Sequence, residues 1–373
     1  MHDTGAKASN QDRPAAKAKP RGSRLGNAVL ALASLLFGLF AIEIGYRIAM
    51  GVPVFELANW RSDHTVILDS GDVPIPDPLL GWVSRPGHVS PAHNTLAHGI
   101  RRNFAETAIR PGAVLAVGDS FTEGWEVNDG ETWPAYLERQ TGKPVLNAGV
   151  GGYGTDQTIL RAEQLLPIVK PKVLIVGFLE LDILRAGHSH FGSPKPYFTL
   201  ENGALRYHPP ALVTARRDGG FFVAAGYAIR DVLGYFASID FLLRRIAPDF
   251  WFGGEKREYR RAPNDPVRVT CALLERLKQR VDREGIRMIL LMQYYATAII
   301  DDEDRPADAL GVLACAKTHG IPVVDQFASL RALVEKDPNA LHPYYMHDGR
   351  NFTHMSAKGN AHAAQLLAKA LGE

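Results

Sequence analysis

Five short runs of small and β-branched apolar residues recur along the second two-thirds of the chain: Ala113–Val117, Pro144–Ala148, Lys172–Phe178, Arg287–Met292 and Pro322–Asp325. Runs this short, without polar alternation, read as strands of a parallel sheet buried on both faces. Helical patterns fall between them. Thr132–Gln140 ends at Gly142, and Thr155–Val169 is amphipathic with Thr155 as N-cap. Asp265–Glu284 ends at Gly285 and Ala307–Thr318 at Gly320, while Ser356 caps Ser356–Leu371. Strands alternating with helices predict a parallel sheet covered on both faces. Gly187–Pro263 breaks the rhythm. It is rich in aromatics and Arg and reads as an insertion or cap over the sheet edge.

The first third reads differently. Residues 1–24 are polar, and Lys7, Arg13, Lys17, Lys19, Arg21 and Arg24 outnumber Asp3 and Asp12, as in a disordered basic tail. An almost unbroken apolar stretch follows inside residues 25–50. As a helix, Leu25–Ile44 spans about 30 Å, one hydrocarbon core. The positive excess before it places the N-terminus in the cytoplasm and the rest outside, a single pass through the inner membrane. Glu43 and Arg47 lie one turn apart, placed to pair and snorkel to the interface. No small-x-small cleavage site follows, so a retained anchor is preferred to a signal peptide. Residues 51–110 hold Pro53, Pro74, Pro76, Pro78, Pro86 and Pro91 and read as a β-rich connector of short strands and turns. The domain with the alternating pattern spans 111–373, with the insertion at about 187–263.

The 373 residues are 46% hydrophobic and 22% charged, enough for a sizeable core. A net charge of +2, with no basic stripe interleaved with aromatics, argues against a nucleic-acid partner. Cys271 and Cys315 are the two cysteines. They show neither a metal spacing nor a disulfide framework and read as small buried hydrophobes, although an oxidising compartment allows one bridge. No metal site and no cofactor are expected.

Three clusters fall at carboxyl ends of strands, where open α/β sheets bind ligands. They are Gly118-Asp119-Ser120, Asn147-Ala-Gly-Val-Gly-Gly-Tyr-Gly154, and Asp348-Gly-Arg-Asn351-Phe-Thr-His354. A serine nucleophile needs a base, usually His, and N–H donors aimed at the developing oxyanion. The clusters supply all three kinds of group. A dinucleotide-binding fingerprint, Gly149-x-Gly151-x-x-Gly154 with Glu180 after the next strand, is the rival reading of the second cluster. It leaves Ser120 and His354 unexplained.

These blocks, in this order, resemble the SGNH/GDSL hydrolases, serine esterases and acyltransferases. The resemblance implies an α/β, flavodoxin-like three-layer parallel sheet over about Ala113–Leu371. It implies Ser120 as nucleophile and His354 as base, with the N–H groups of Ser120 and Gly152 as oxyanion donors. The anchor and the Leu80-Gly-Trp82…Pro86-Gly87 connector look like membrane-tethered members, whose periplasmic domain acts on acylated cell-envelope or exported carbohydrate. Two positions depart from the pattern. Leu181 stands where the family has an oxyanion Asn, and Asn351 stands where it has the Asp that orients His. Asp348 is placed to substitute for Asn351. The expected activity is removal of ester-linked acyl groups, O-acetyl foremost. O-acyl transfer by the same Ser–His site, and a catalytically weak glycan-binding protein, are the alternatives.

Overall fold

The computed structural model describes residues 24–50, 54, 74–105, 108–210, 229, 232–233, 236–247, 259–302, 304–347 and 351–372. The expected basic tail lies outside them but for Arg24, and so does Asp348. The chain divides into two compact units. One comprises residues 1–62 with 229–246, and the other 63–228 with 247–373.

The first unit contains α1 (Arg24–Met50), whose Gly26–Met50 stretch includes an 18-residue window of mean hydropathy 2.2 and is long and apolar enough to cross a membrane. The second unit opens with a hairpin of β1 (Pro74–Asp77) and β2 (Gly81–Ser84). Next come β3 (Val114–Val117), the single-turn α2 (Ser120–Glu123) and α3 (Trp133–Thr141). They are followed by β4 (Val145–Asn147), α4 (Thr155–Val169), β5 (Val173–Leu179) and α5 (Glu180–Ala186). Four short strands come after: β6 (His188–Phe191), β7 (Ser193–Pro194), β8 (Tyr197–Glu201) and β9 (Ala204–His208). Helix α6 (Ala237–Ile246) belongs to the first unit. The chain continues with β10 (Tyr259–Arg261), α7 (Pro266–Arg283), β11 (Arg287–Gln293), α8 (Ala296–Ile300) and α9 (Ala307–Thr318). It closes with β12 (Val323–Asp325), α10 (Phe327–Val334), β13 (Tyr345–His347), β14 (Phe352–Met355) and α11 (Ala357–Leu371).

Five strands pair in parallel in the order β12-β11-β5-β3-β4. This is the flavodoxin-like order, with β3 first in the chain and near the middle of the sheet. Alternation along the strands separates two faces. Leu115, Val117, Leu174, Val176, Leu290 and Met292 join Ile159 and Leu165 of α4 and Leu273 and Leu277 of α7. Val114, Ala116, Ile175, Ile289 and Leu291 join Trp133 and Leu137 of α3 and Ala363, Ala364 and Leu367 of α11. The domain is thus a three-layer α/β/α sandwich. The chain reverses direction across the sheet at β3, which opens a crevice at that strand's carboxyl end.

Two local expectations are corrected, and one segment gains its elements. The N-cap of α4 is Gly154, not Thr155, because the Gln157 side chain accepts the Gly154 N–H while the Thr155 hydroxyl bonds that of Thr270. The described part of the expected insertion, for which no elements were expected, holds strands and α6. β10 pairs with β6 and β6 with β7, and β8 pairs with β9, all antiparallel. Cys271 and Cys315 are not separate small hydrophobes. α7 and α9 lie side by side on one face, and the two residues form a disulfide with their Cα atoms 5.6 Å apart.

Candidate active site

Ser120 is the second residue after Gly118, where β3 leaves the sheet. A Cβ on Gly118 would stand 2.0 Å from the Thr122 Oγ1 and 2.8 Å from the Gly177 carbonyl of the neighbouring strand, so only glycine lets the chain turn here. Asp119 caps the turn that follows. Its side chain accepts the Phe121 N–H at 2.8 Å. Ser120 is thereby presented at the sheet edge, buried to 6% exposure.

His354, on β14, reaches it from the far end of the chain. Its Nε2 lies 3.0 Å from the Ser120 Oγ. Its Nδ1 lies 3.1 Å from the Glu126 carboxylate. A carboxylate can only accept, so Nδ1 carries the proton and Nε2 is left to accept from the serine hydroxyl. The Ser120 hydroxyl has a second acceptor in Asp119, but at 3.4 Å. The same Glu126 oxygen also accepts the Thr353 hydroxyl at 2.6 Å and the His354 N–H at 3.0 Å. Partial burial pushes the Glu126 carboxyl up. The Thr353 hydroxyl, the His354 N–H and the His354 ring outweigh it and hold the pKa below the ordinary value.

The acid against His354 is therefore Glu126. The sequence reading offered Asp348 or Asn351 instead. Asn351 is exposed and immediately precedes β14, and Asp348 falls outside the described residues. Glu126 was missed because it sits in a loop with no periodicity. The available signal was its nearness to Ser120, six residues on, which ties it to the same sheet edge.

The loop bearing Glu126 is held by Arg101. This buried guanidinium donates to the carbonyls of Ala92, Glu123, Gly124 and Val127 and pairs with Asp129 at 2.9 Å. Sequence reading missed Arg101 as well.

The Gly-rich segment after β4 makes a turn in which the Tyr153 N–H meets the Val150 carbonyl. Gly152 takes φ +77, which disfavours a side chain. The turn is fixed from two sides. The Gly151 N–H donates to Glu123 at 2.8 Å, and the Trp82 indole N–H donates to the Gly151 carbonyl at 2.9 Å. The Tyr153 hydroxyl closes the circuit on the Trp82 carbonyl at 2.6 Å. The residues read as a connector thus pack, through Trp82, against this turn. Burial raises the Glu123 carboxyl to about 7, although Arg101 and bonds from Ser84 and Gly151 pull it down.

The other flank of Ser120 is an ion cluster. Arg185 Nη1 donates to Asp119 at 2.9 Å, to Asp182 at 2.6 Å and to the Tyr153 carbonyl at 3.2 Å. Burial opposes the charge on Arg185, but Asp182 and Asp119 outweigh it and hold its pKa above the ordinary value. Leu181, at the family's Asn position, is 39% exposed, and Trp125 is 48% exposed with its ring against Gly151.

No protein-family model matches the chain, and no curated protein does. Solved structures do resemble it. The chain is similar to GDSL lipolytic proteins and esterases. A lipolytic protein of the G-D-S-L family from Desulfitobacterium hafniense is 16% identical, with 69% of this chain and 98% of that one covered and a TM-score of 0.37. The acetyl xylan esterase AlAXEase is 13% identical, with coverages of 69% and 99% and a TM-score of 0.39. The lipase/acylhydrolase from Enterococcus faecalis is 14% identical, with coverages of 69% and 94% and a TM-score of 0.37.

Proposed function

We propose that the chain is a membrane-anchored serine esterase of the SGNH type that removes ester-linked acyl groups, O-acetyl foremost, from envelope or exported carbohydrate. The observation that carries this reading is the hydrogen-bonded series Ser120 Oγ, His354 Nε2, His354 Nδ1, Glu126. Ser120 attacks the ester carbonyl while His354 takes its proton, and the carbonyl π pair moves to oxygen. The N–H groups of Ser120 and Gly152 are the donors assigned to that oxyanion. Collapse expels the alcohol, which takes the proton from His354 and leaves an acyl-serine. Water, activated by His354, then releases the acid and restores Ser120. A sugar hydroxyl in place of water makes the same site a transferase.

Support for the carbohydrate comes from the exposed Trp125, an aromatic face beside Gly151 of the Gly-rich turn that suits stacking on a sugar. Support for an extracytoplasmic domain comes from α1 and from the Cys271–Cys315 disulfide, a bond that persists in oxidising compartments.

The test compares nitrophenyl acetate hydrolysis by the detergent-solubilised wild type, Ser120→Ala and His354→Ala. Both variants are expected to lose at least about 10³-fold in kcat. Equal rates in all three would overturn the assignment. Product analysis with an acetylated sugar and a second sugar as acceptor then separates hydrolysis from transfer.

A further inference from the structure

Within the first unit, α1 carries two charged residues near its far end that are not left to snorkel. Glu43 and Arg47 pair with each other and are both fully buried, on a helix whose apolar side chains are otherwise largely exposed. What buries Glu43 is α6. One carboxylate oxygen accepts the Ala237 N–H at 2.8 Å, and the other accepts the Ser238 N–H at 2.9 Å and the Ser238 hydroxyl at 2.6 Å. Ala237 and Ser238 are the first two residues of α6, whose N–H groups no residue inside that helix can satisfy. Glu43 is therefore the cap of a helix 194 residues further along the chain. Its negative charge also suits the helix's positive end. A second contact sets the Tyr46 ring 5.4 Å from that of Phe241.

The exposed side of α6 is apolar. Leu242 and Ile246, one turn apart, are 51% and 66% exposed, and Ile229 and Val232 just upstream are exposed too. The Arg245 guanidinium lies 3.6 Å over the Phe241 ring. An amphipathic helix with a basic residue beside its apolar stripe fits the boundary between headgroups and acyl chains. The level agrees. From Arg24 to Glu43 the helix rises about 29 Å, one hydrocarbon thickness, so Glu43 falls at the far interface. Ile42, Ile48 and Met50 of α1, in the same unit, are exposed and apolar as well.

We infer that α6 is a second membrane contact, an interfacial helix laid into the lipid surface where α1 leaves the bilayer and locked there by Glu43. The inference rests on reading α1 as a membrane span. The occupant of its exposed face is lipid, not protein, because Glu43 ties the start of α6 to the level where α1 leaves the bilayer and a basic residue flanks the apolar stripe.

The two native cysteines are disulfide-bonded, so an introduced one is the sole free thiol. Full-length Leu242→Cys carries an environment-sensitive fluorophore in vesicles of phosphatidylcholine and phosphatidylglycerol. Brominated lipid and aqueous iodide serve as quenchers. The expected result is strong quenching by brominated lipid and at least threefold less iodide quenching than for the same probe at Arg206→Cys, an exposed site on β9. Adding Glu43→Ala should release α6 and raise iodide quenching at least twofold, and Glu43→Gln, which keeps an acceptor, should raise it less. A probe at 242 quenched by iodide as freely as at 206 overturns the inference. So does shielding from both quenchers, which indicates a protein cover. A probe at Leu36→Cys on α1 keeps the two readings apart. Lipid quenching at 36 without it at 242 removes the α6 contact alone, whereas its absence at 36 removes the anchor.

Discussion

The two flanks of Ser120 are built oppositely. On one side His354 and Glu126 keep side-chain exposures of 20% and 33%, and the ring and backbone N–H of His354 meet one Glu126 oxygen. On the other, one Nη of Arg185 is shared by two buried carboxylates and a carbonyl. In the proposed reaction the open flank holds His354, which takes and returns a proton, and Glu126, which orients it. The closed flank contains charges that stay fixed, and dense bonding makes their displacement costly. Asp119 shows the division within one residue. It caps α2 with one oxygen and meets Arg185 with the other, so the strand exit that presents Ser120 is held by the rigid side.

The contrast is tested hardest on the open flank. Glu126→Gln keeps the shape but leaves His354 free to take the wrong tautomer. We expect kcat to fall by about 10²- to 10⁴-fold with KM and melting temperature nearly unchanged. A loss under twofold would remove Glu126 from the series. On the closed flank the order of effects reverses. Arg185→Ala leaves Asp119 and Asp182 buried without their counter-charge and should cost about 3–5 kcal/mol in urea unfolding. A melting curve matching the wild type would show the flanks to be alike.

The smallest effect concerns Glu123, the buried support of the Gly-rich turn. Its pKa in the fold is about 7, above its ordinary 4.5, so the fold favours its neutral form. Its contribution is fully present below about pH 4.5 and is lost as pH rises through 7. Glu180, also raised to about 7 by burial, acts in the same direction. Between pH 5 and 8 the wild type should lose up to about 3 kcal/mol more stability than Glu123→Gln. Equal losses would show that Glu123 is charged in the fold throughout.

How much of this was legible from residues alone follows from the range of each interaction. The sheet was legible because Val114–Val117 and its partners are buried on both faces, and burial leaves an unbroken apolar run. Ser120 and His354 were legible because each stands at a strand end in a recognisable block, and the structure brings them together. Glu126 and Arg101 were not, since loop residues acting on distant backbone leave no periodic trace. The pairing of Cys271 with Cys315 depends on two helices being neighbours, which spacing does not encode. The same holds for Glu43. A charge at the end of an apolar helix signals an interface, while the helix it caps lies 194 residues away. The strands β6 to β9 were hidden because they are only partly buried, so aromatic and charged residues interrupt their alternation.

Ser120 and His354 are separated by 234 residues. With the proposed roles, a chain emerging from the ribosome carries its nucleophile long before its base exists. Local folding around β3 can finish early, yet the serine hydroxyl has no base to activate it until β14 has been made and has docked. In the proposed reaction, ester cleavage is withheld from every incomplete copy by the order of synthesis alone.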